Sequence, residues 1–228
     1  MPPDRLAEAD HNDARRDDDS PRRLWGQVMN VDERFHLAIK EFDKANEEDP
    51  RTEIVAGHAQ PKELLFSRRV YAWIEKLVER PSEKLLLAAR SHTLRRWMIP
   101  RDRYPMTTKD YHRWRNALAE FHAAEAEKIL AEVGYGPEMI DPVRQLITKA
   151  NWPADEDALA LEDADCLVFL ETKLGDFVDR WDDEKMSRIL RQTYAKMTPD
   201  AREAVSTLHF DEKERAVLNR VLFGGRAG

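Results

Sequence analysis

Two histidines and one aspartate are candidates for binding a transition-metal ion. His92 follows an apolar run of leucines and alanines, and His122 has small or apolar residues four, seven and eight positions further on. Asp163 lies on the most apolar stripe of its predicted helix, so its carboxylate must be ion-paired, hydrogen-bonded or bound to metal. Imidazole and carboxylate groups from three helices form a minimal ligand set for one divalent transition-metal ion. Asp165 points about 160° away from Asp163, so only one of the two can face this site.

A basic island surrounds His92. Between Arg90 and Arg115 the sequence has eight arginines or lysines against two aspartates, in a chain whose formal net charge is −7. A local cationic region of this kind focuses its field on an anion. Guanidinium groups clamp phosphate or carboxylate bidentately, and aromatic rings beside them stack on a base. The predicted substrate contacts are therefore Arg95, Arg96, Arg101 and Arg103 for the charge, with Trp97 and Tyr104 for stacking.

Each of these patterns also has a structural alternative. Asp163 would be satisfied by a buried salt bridge to Arg95 or Arg96, and the two histidines by hydrogen bonds within the core. Arginine and tryptophan together often form an ion-paired surface with cation–π contacts, and 44 acidic residues are present to supply partners. The sequence alone leaves both interpretations open.

Arg115 and His122 lie on one face of a predicted helix, two turns apart. At that spacing His122 could act as a general base while Arg115 holds a phosphate. The pair resembles the Arg-x(4–6)-His motif of HEPN ribonucleases, which are helical and metal-independent. This resemblance implies a catalytic role for Arg115.

The composition predicts an all-α protein. Helix-forming residues are abundant, and valine and isoleucine never alternate over the length of a strand. The single cysteine excludes an intrachain disulfide framework and a cysteine-rich metal knuckle. No apolar run approaches the roughly 18 residues of a membrane helix, and the amino terminus lacks the pattern of a secretion signal. We therefore expect a cytoplasmic protein that does not enter a membrane.

The elements that must position the candidate residues belong to one predicted helical domain, residues 31–228. Residues 1–30 lack apolar periodicity, and we expect them to form a disordered extension. Residues 51–61 are predicted to form a connecting loop. The predicted helix before His92 ends near residues 92–97. His122 lies in a predicted helix at about 111–133, and Asp163 lies in one at 157–180. Closing helices follow at 184–223.

Four segments resemble, in the same order, the motifs of HD-domain metal-dependent phosphohydrolases. They are FSRRVYAWI for the first helix, AARSHT for the helix end with the His-Asp doublet, HAAEAEKIL for the third motif and LEDADCL for the closing helix. The resemblance implies an HD-like core at about 61–180. It also implies hydrolysis of a phosphorylated or nucleotide-like small anion, with a metal ion that lowers the pKa of a bound water. Some HD-like enzymes bind iron instead and oxygenate their substrate.

The sequence departs from the HD pattern at two ligand positions. The histidine of the first helix is Phe66 here, and the aspartate of the doublet is Thr93. Glu63, one turn before Phe66, would replace the missing ligand, and Lys149 stands near the position where two-metal members have another histidine, so the resemblance implies catalytic roles for both. The resemblance therefore implies one metal ion, or a site that keeps only the fold.

A second resemblance covers more of the chain. From about Phe35 to Met197, segments such as FDKANEEDPRTE and RRWMIPRDRYP resemble an all-helical family known only as a domain of unknown function. This family implies no activity. A non-catalytic module that binds RNA or a small anion through the same basic island is therefore a further alternative.

Overall fold

The structure of the chain is a computed structural model that describes residues 30–180, 182–222 and 224. The residues from Val31 onward form one unit. The predicted disordered extension at residues 1–30 lies outside the described residues except for Asn30.

The described residues form α-helices joined by short connections, which confirms the prediction of an all-α protein. None of these helices is long and apolar enough to cross a lipid bilayer. The helices are α1 (Val31–Glu47), α2 (Lys62–Leu77), α3 (Glu83–Ser91), α4 (Thr108–Glu132), α5 (Pro137–Thr148), α6 (Glu156–Arg180), α7 (Asp183–Lys196), α8 (Pro199–Ala204) and α9 (Glu212–Leu222). Short 3₁₀ turns lie at Arg96–Met98, Arg101–Arg103 and Val205–Thr207.

The segment predicted to be a connecting loop forms a small antiparallel hairpin instead. Its strands are β1 (Thr52–Val55) and β2 (His58–Pro61), with Val55 paired to His58. The two turn residues, Ala56 and Gly57, both have positive φ angles of 51° and 81°, as a tight two-residue hairpin turn requires. The prediction of a loop was wrong because these four-residue strands are mostly exposed and show no hydrophobic alternation.

Polar side chains fix the beginning of several helices. Ser82 accepts a hydrogen bond from the amide of Leu85 at the start of α3, and Thr107 accepts one from Asp110 at the start of α4. Such caps satisfy amide groups that have no partner inside the helix. The cap of α4 is therefore Thr107, so this helix begins three residues before the predicted 111.

Helices α3 and α6 contact most of the other helices. Helix α3 packs against α1, α2, α4, α5 and α6, and α6 packs against α2, α3, α5, α7, α8 and α9. Each large apolar side chain buried at these contacts stabilises the fold by about 1.5–3 kcal/mol. Among those with almost no exposed surface are Phe42, Ile74, Leu85, Leu87, Leu130 and Leu167.

A buried ion pair joins the first three helices. Arg90 at the end of α3 donates to both oxygens of Asp43 at 2.6 and 2.7 Å, and Arg68 of α2 donates to the same carboxylate at 2.8 Å. Burial alone would raise the pKa of Asp43, but the hydrogen bonds from Arg90 and Arg68 outweigh it and hold this pKa below 3.8. The Asp43 carboxylate is therefore ionised in the folded protein at neutral pH.

We expect the substitution Asp43→Asn to lower the free energy of unfolding by about 3 kcal/mol, because it leaves the buried Arg90 without a counter-charge. The pKa of Asp43 is lower in the folded state, so its contribution is complete above the unfolded pKa. That contribution is lost as the pH falls through the folded value. Urea denaturation at neutral and acidic pH measures both effects, with the exposed Asp141→Asn as the control. An unchanged midpoint for Asp43→Asn would contradict this role.

Candidate functional site

Arg96 and Arg115, called here the arginine pair, lack a counter-charge in direct contact. Arg96 lies in the turn after α3 and Arg115 in α4, and both residues are half-buried. Neither forms a salt bridge with a carboxylate in the described part of the chain. Surrounding protein lowers the pKa of Arg96, and the charge of Arg115 lowers it further. Two neighbouring cations without direct partners make a region that favours an anion.

The backbone separates Arg96 from Arg95, which precedes it. Arg95 has a positive φ of 50° and donates its amide hydrogen to Oδ1 of Asn46 at 3.0 Å. Its side chain contacts Glu125 at 2.5 Å and Glu48 at 3.4 Å. A left-handed conformation is strained for a residue with a Cβ atom and persists where the surroundings enforce it. Arg95 and Arg96 are adjacent residues that were both predicted to contact phosphate. Arg95 is thus ion-paired, whereas Arg96 is not.

Trp114 positions the guanidinium of Arg96. The Arg96 guanidinium carbon lies 5.1 Å from the centre of the Trp114 ring, and that of Arg101 lies 5.8 Å from it. The indole nitrogen donates to the carbonyl of Ile99 at 2.9 Å. Trp114 was not among the predicted site residues, although its place directly before Arg115 in a basic segment was an available signal.

His122 presents an unused hydrogen-bond acceptor inside the protein. Its residue is 2% exposed, and Nδ1 lies 2.7 Å from the carbonyl oxygen of Leu94. A carbonyl only accepts, so Nδ1 carries the hydrogen and Nε2 of the neutral ring is an acceptor. Nε2 is buried and has no hydrogen-bond partner among the described residues. Burial, together with the charge of Arg96, lowers the pKa of His122 to about 3.

Asp165 is the carboxylate that contacts His92. Nε2 of His92 lies 3.6 Å from Oδ1 of Asp165, and Nδ1 lies 3.0 Å from the carbonyl of Ala89. Nζ of Lys149 lies 4.0 Å from the other carboxylate oxygen. Burial alone would raise the pKa of Asp165, but the contact with His92 and the charge of Lys149 outweigh it and lower the pKa. Asp165 is therefore ionised.

Asp163 is occupied elsewhere, and the structure does not bring it to the two histidines. Its Oδ1 accepts from the amide of Thr198 at 2.9 Å, and its Oδ2 accepts from the Thr198 hydroxyl at 2.5 Å. Thr198 in turn caps α8, so this carboxylate anchors the start of that helix. Of the possibilities stated for a carboxylate on an apolar stripe, the hydrogen-bonded one is found.

With Asp163 held by Thr198, the predicted ligand set of His92, His122 and Asp163 is not assembled. In the described part of the chain, no three or more His, Cys, Asp or Glu side chains are arranged to hold one. The arginine pair also acts on His122, and neighbouring cations oppose the binding of another cation.

The other predicted catalytic residues, Glu63 and Lys149, belong to ion pairs. Oε1 of Glu63 lies 2.7 Å from Nη2 of Arg51. Lys149 has a positive φ of 58° at the end of α5 and contacts the buried Glu162. Glu162 also accepts from Lys196 at 3.0 Å. Of the three predicted catalytic residues, only Arg115 lacks a described ion-pair partner.

The rest of the basic island holds its own loop together. Arg101 donates to the carbonyls of Tyr104 at 2.9 Å and Pro105 at 2.8 Å. Arg103 is exposed and donates to the carbonyl of Met98 at 3.2 Å. The predicted stacking residues, Trp97 and Tyr104, are half-buried. Most of these predicted contacts are thus used within the chain, and the arginine pair is left without a described salt bridge.

Comparison with known proteins identifies a family. The sequence profile described as "Domain of unknown function (DUF4202)" matches residues 36–218. No curated protein and no solved structure matches the chain. The match confirms the resemblance to a domain-of-unknown-function family and does not bear on the resemblance to HD-domain enzymes.

We expect Thr198→Val to lower the free energy of unfolding by about 1–2 kcal/mol, because it removes a hydrogen bond to Asp163 and the cap of α8. Thr108→Val is the matched control, since Thr108 is exposed at the start of α4. Thermal denaturation of both variants measures the difference. Equal melting temperatures would show that the contact between Asp163 and Thr198 contributes nothing.

Proposed function

The chain belongs to the DUF4202 family, a domain of unknown function, and we propose from its own side chains that it binds a small phosphorylated or nucleotide-like anion at Arg96 and Arg115. The observation that supports this is the arginine pair itself: two half-buried guanidinium groups that act on each other and have no described salt-bridge partner. Burying charge without compensation is costly, and a bound anion would compensate both groups.

The nearby carboxylates have other partners. Glu63 pairs with Arg51, Glu162 is held by two lysines, and Asp165 contacts His92. Glu63 and Asp165 act on Arg96 only through their fields. The planar guanidinium fork binds phosphate or carboxylate with two parallel hydrogen bonds, so an external oxyanion is the ligand that matches the arginine pair.

An exposed aromatic ring beside the arginine pair accounts for the nucleotide-like part of the proposal. Tyr111 is 45% exposed and lies one turn before Arg115 on α4. Its ring centre is 5.8 Å from that of Trp114, which carries Arg96. Bases stack on exposed aromatic side chains of nucleic-acid and nucleotide sites. Tyr111 therefore takes the role that the sequence suggested for Trp97 or Tyr104.

The properties of His122 favour binding over metal-independent cleavage. A general base works best when its pKa lies near the operating pH. The pKa of His122 is lowered to about 3, so this ring has little tendency to take a proton from a nucleophile. This argues for a binding role of the pair Arg115 and His122 over a HEPN-type reaction.

We expect Arg115→Gln to weaken the binding of inorganic phosphate and of a nucleoside monophosphate by about tenfold or more, because it removes charge-assisted hydrogen bonds. Arg113→Gln is the matched control, since Arg113 lies on the same helix, has a side chain that is 67% exposed and pairs with Asp110. Isothermal titration calorimetry at fixed ionic strength compares the two. Equal affinities of both variants would overturn the proposal.

Metal-dependent hydrolysis of such an anion is a second candidate. The Nε2 atoms of His92 and His122 are both buried without a hydrogen-bond partner among the described residues, and Asp165 contacts one of them. Neutral imidazole nitrogens of this kind are ligands for transition metals. In this candidate Asp165 takes the place that the sequence suggested for Asp163.

Elemental analysis of protein purified without a metal-affinity tag tests the second candidate. If this candidate is right, the protein holds roughly one transition-metal ion per chain, and Asp165→Asn loses it whereas Asp163→Asn keeps it. Iron in this measurement would favour the oxygenase alternative. A chain that takes up no metal after incubation with transition-metal salts would remove both metal-dependent candidates and leave the anion-binding proposal standing.

A further inference from the structure

We infer that the anion bound at the arginine pair carries a hydrogen-bond donor beside its charged oxygens, as hydrogen phosphate does and sulfate does not. The inference rests on the proposed function and narrows its ligand class. It follows from the acceptors that the site contains in addition to its cations.

The first acceptor is Nε2 of His122. Because Nδ1 donates to the Leu94 carbonyl at 2.7 Å, Nε2 of the neutral ring has a lone pair and no hydrogen. This nitrogen is buried, and no described group donates to it. Among the neighbouring arginines, the charge of Arg96 has the larger effect on the ring and that of Arg115 the smaller one. An acceptor in this position remains unsatisfied unless a ligand or a water donates to it.

The second acceptor is the carboxylate of Asp165. Its distances to His92 and Lys149 are 3.6 and 4.0 Å, which exceed the length of an ordinary hydrogen bond. The carboxylate therefore retains lone pairs for a further donor. It interacts electrostatically with both members of the arginine pair. The region thus combines two cationic donors with two acceptors.

A ligand that matches this set needs both charged oxygens and a hydroxyl. At neutral pH hydrogen phosphate has negative oxygens and one O–H group, whereas sulfate has the same shape and no proton. Sulfate would leave Nε2 of His122 without a donor and would face the charge of Asp165. Sites that hydrogen-bond a ligand hydroxyl discriminate strongly against an analogue that lacks it. The phosphodiester groups of an RNA backbone have no O–H group on phosphorus, so in RNA only the ribose 2′-hydroxyl could serve as the donor.

The experiment is calorimetric titration of the full chain with phosphate, arsenate and sulfate at equal ionic strength and neutral pH. We expect phosphate and hydrogen arsenate to bind at least about tenfold more tightly than sulfate. This comparison needs no substitution, so it does not depend on the folding of a variant. A comparison of the affinities for glycerol phosphate and methyl phosphate then shows whether the donor is a neighbouring hydroxyl or an O–H group of the phosphate itself.

His122→Asn adds a test of the acceptor. The asparagine amide can still donate to the Leu94 carbonyl in the place of Nδ1, but it has no atom in the place of Nε2. We expect the preference for phosphate over sulfate to shrink severalfold, because Asp165 then remains as the second acceptor, and sulfate affinity to stay unchanged.

The outcomes separate this inference from the proposed function. If phosphate and sulfate bind equally and Arg115→Gln abolishes both, the inference is wrong and the proposed function stands. If His122→Asn folds and its preference for phosphate is undiminished, Nε2 does not accept from the ligand and the inference is likewise overturned. If neither anion binds, the proposed function fails and the inference fails with it.

Discussion

The hydrogen bond from His122 to the carbonyl of Leu94 connects α4 to the turn after α3, and the geometry of the site depends on this connection. The two residues are 28 positions apart and meet in the buried interior at 2.7 Å. The bond fixes the tautomer of the ring. It also fixes the backbone just before Arg95 and Arg96, whose side chains have different partners. Because Arg95 is held in a left-handed conformation, Arg96 is left to contact Trp114.

Most of the other buried or half-buried charges of the described chain are arranged in compact ion-paired groups. Asp43 is shared by two arginines, Arg51 by two carboxylates, and Glu162 by two lysines. Such pairs add little net stability compared with apolar packing, but removing one partner is costly. Against this background the arginine pair differs, because neither member has a described salt bridge, and this contrast is what supports the proposed function.

The acidic character of the whole chain and the basic island have different consequences. A net charge of −7 repels anions at long range, whereas a cluster of guanidinium groups attracts them at short range. Arg101 and Arg103 use their donors on carbonyls of their own loop. The loop therefore positions the island, and in the proposed function selectivity would come from the arginine pair and His122.

The sequence by itself determined the helical class and several of the residues that must be buried. Apolar periodicity acts within one or two turns, so long helices such as α4 and α6 could be predicted closely from local pattern. The sequence also showed that a carboxylate on the apolar stripe of α6 needs a partner, and that His92 and His122 lie near the interior. Only the tertiary structure decided that Asp163 anchors Thr198 while Asp165 contacts His92, and that Arg95 is paired while Arg96 is not. The partners in these choices are far apart in the sequence. Asp163 and Thr198 are 35 positions apart, and Arg95 and Glu125 are 30 positions apart. No local periodicity encodes such partners, because a side chain's counter-charge is set by which helices pack together and at what rotation.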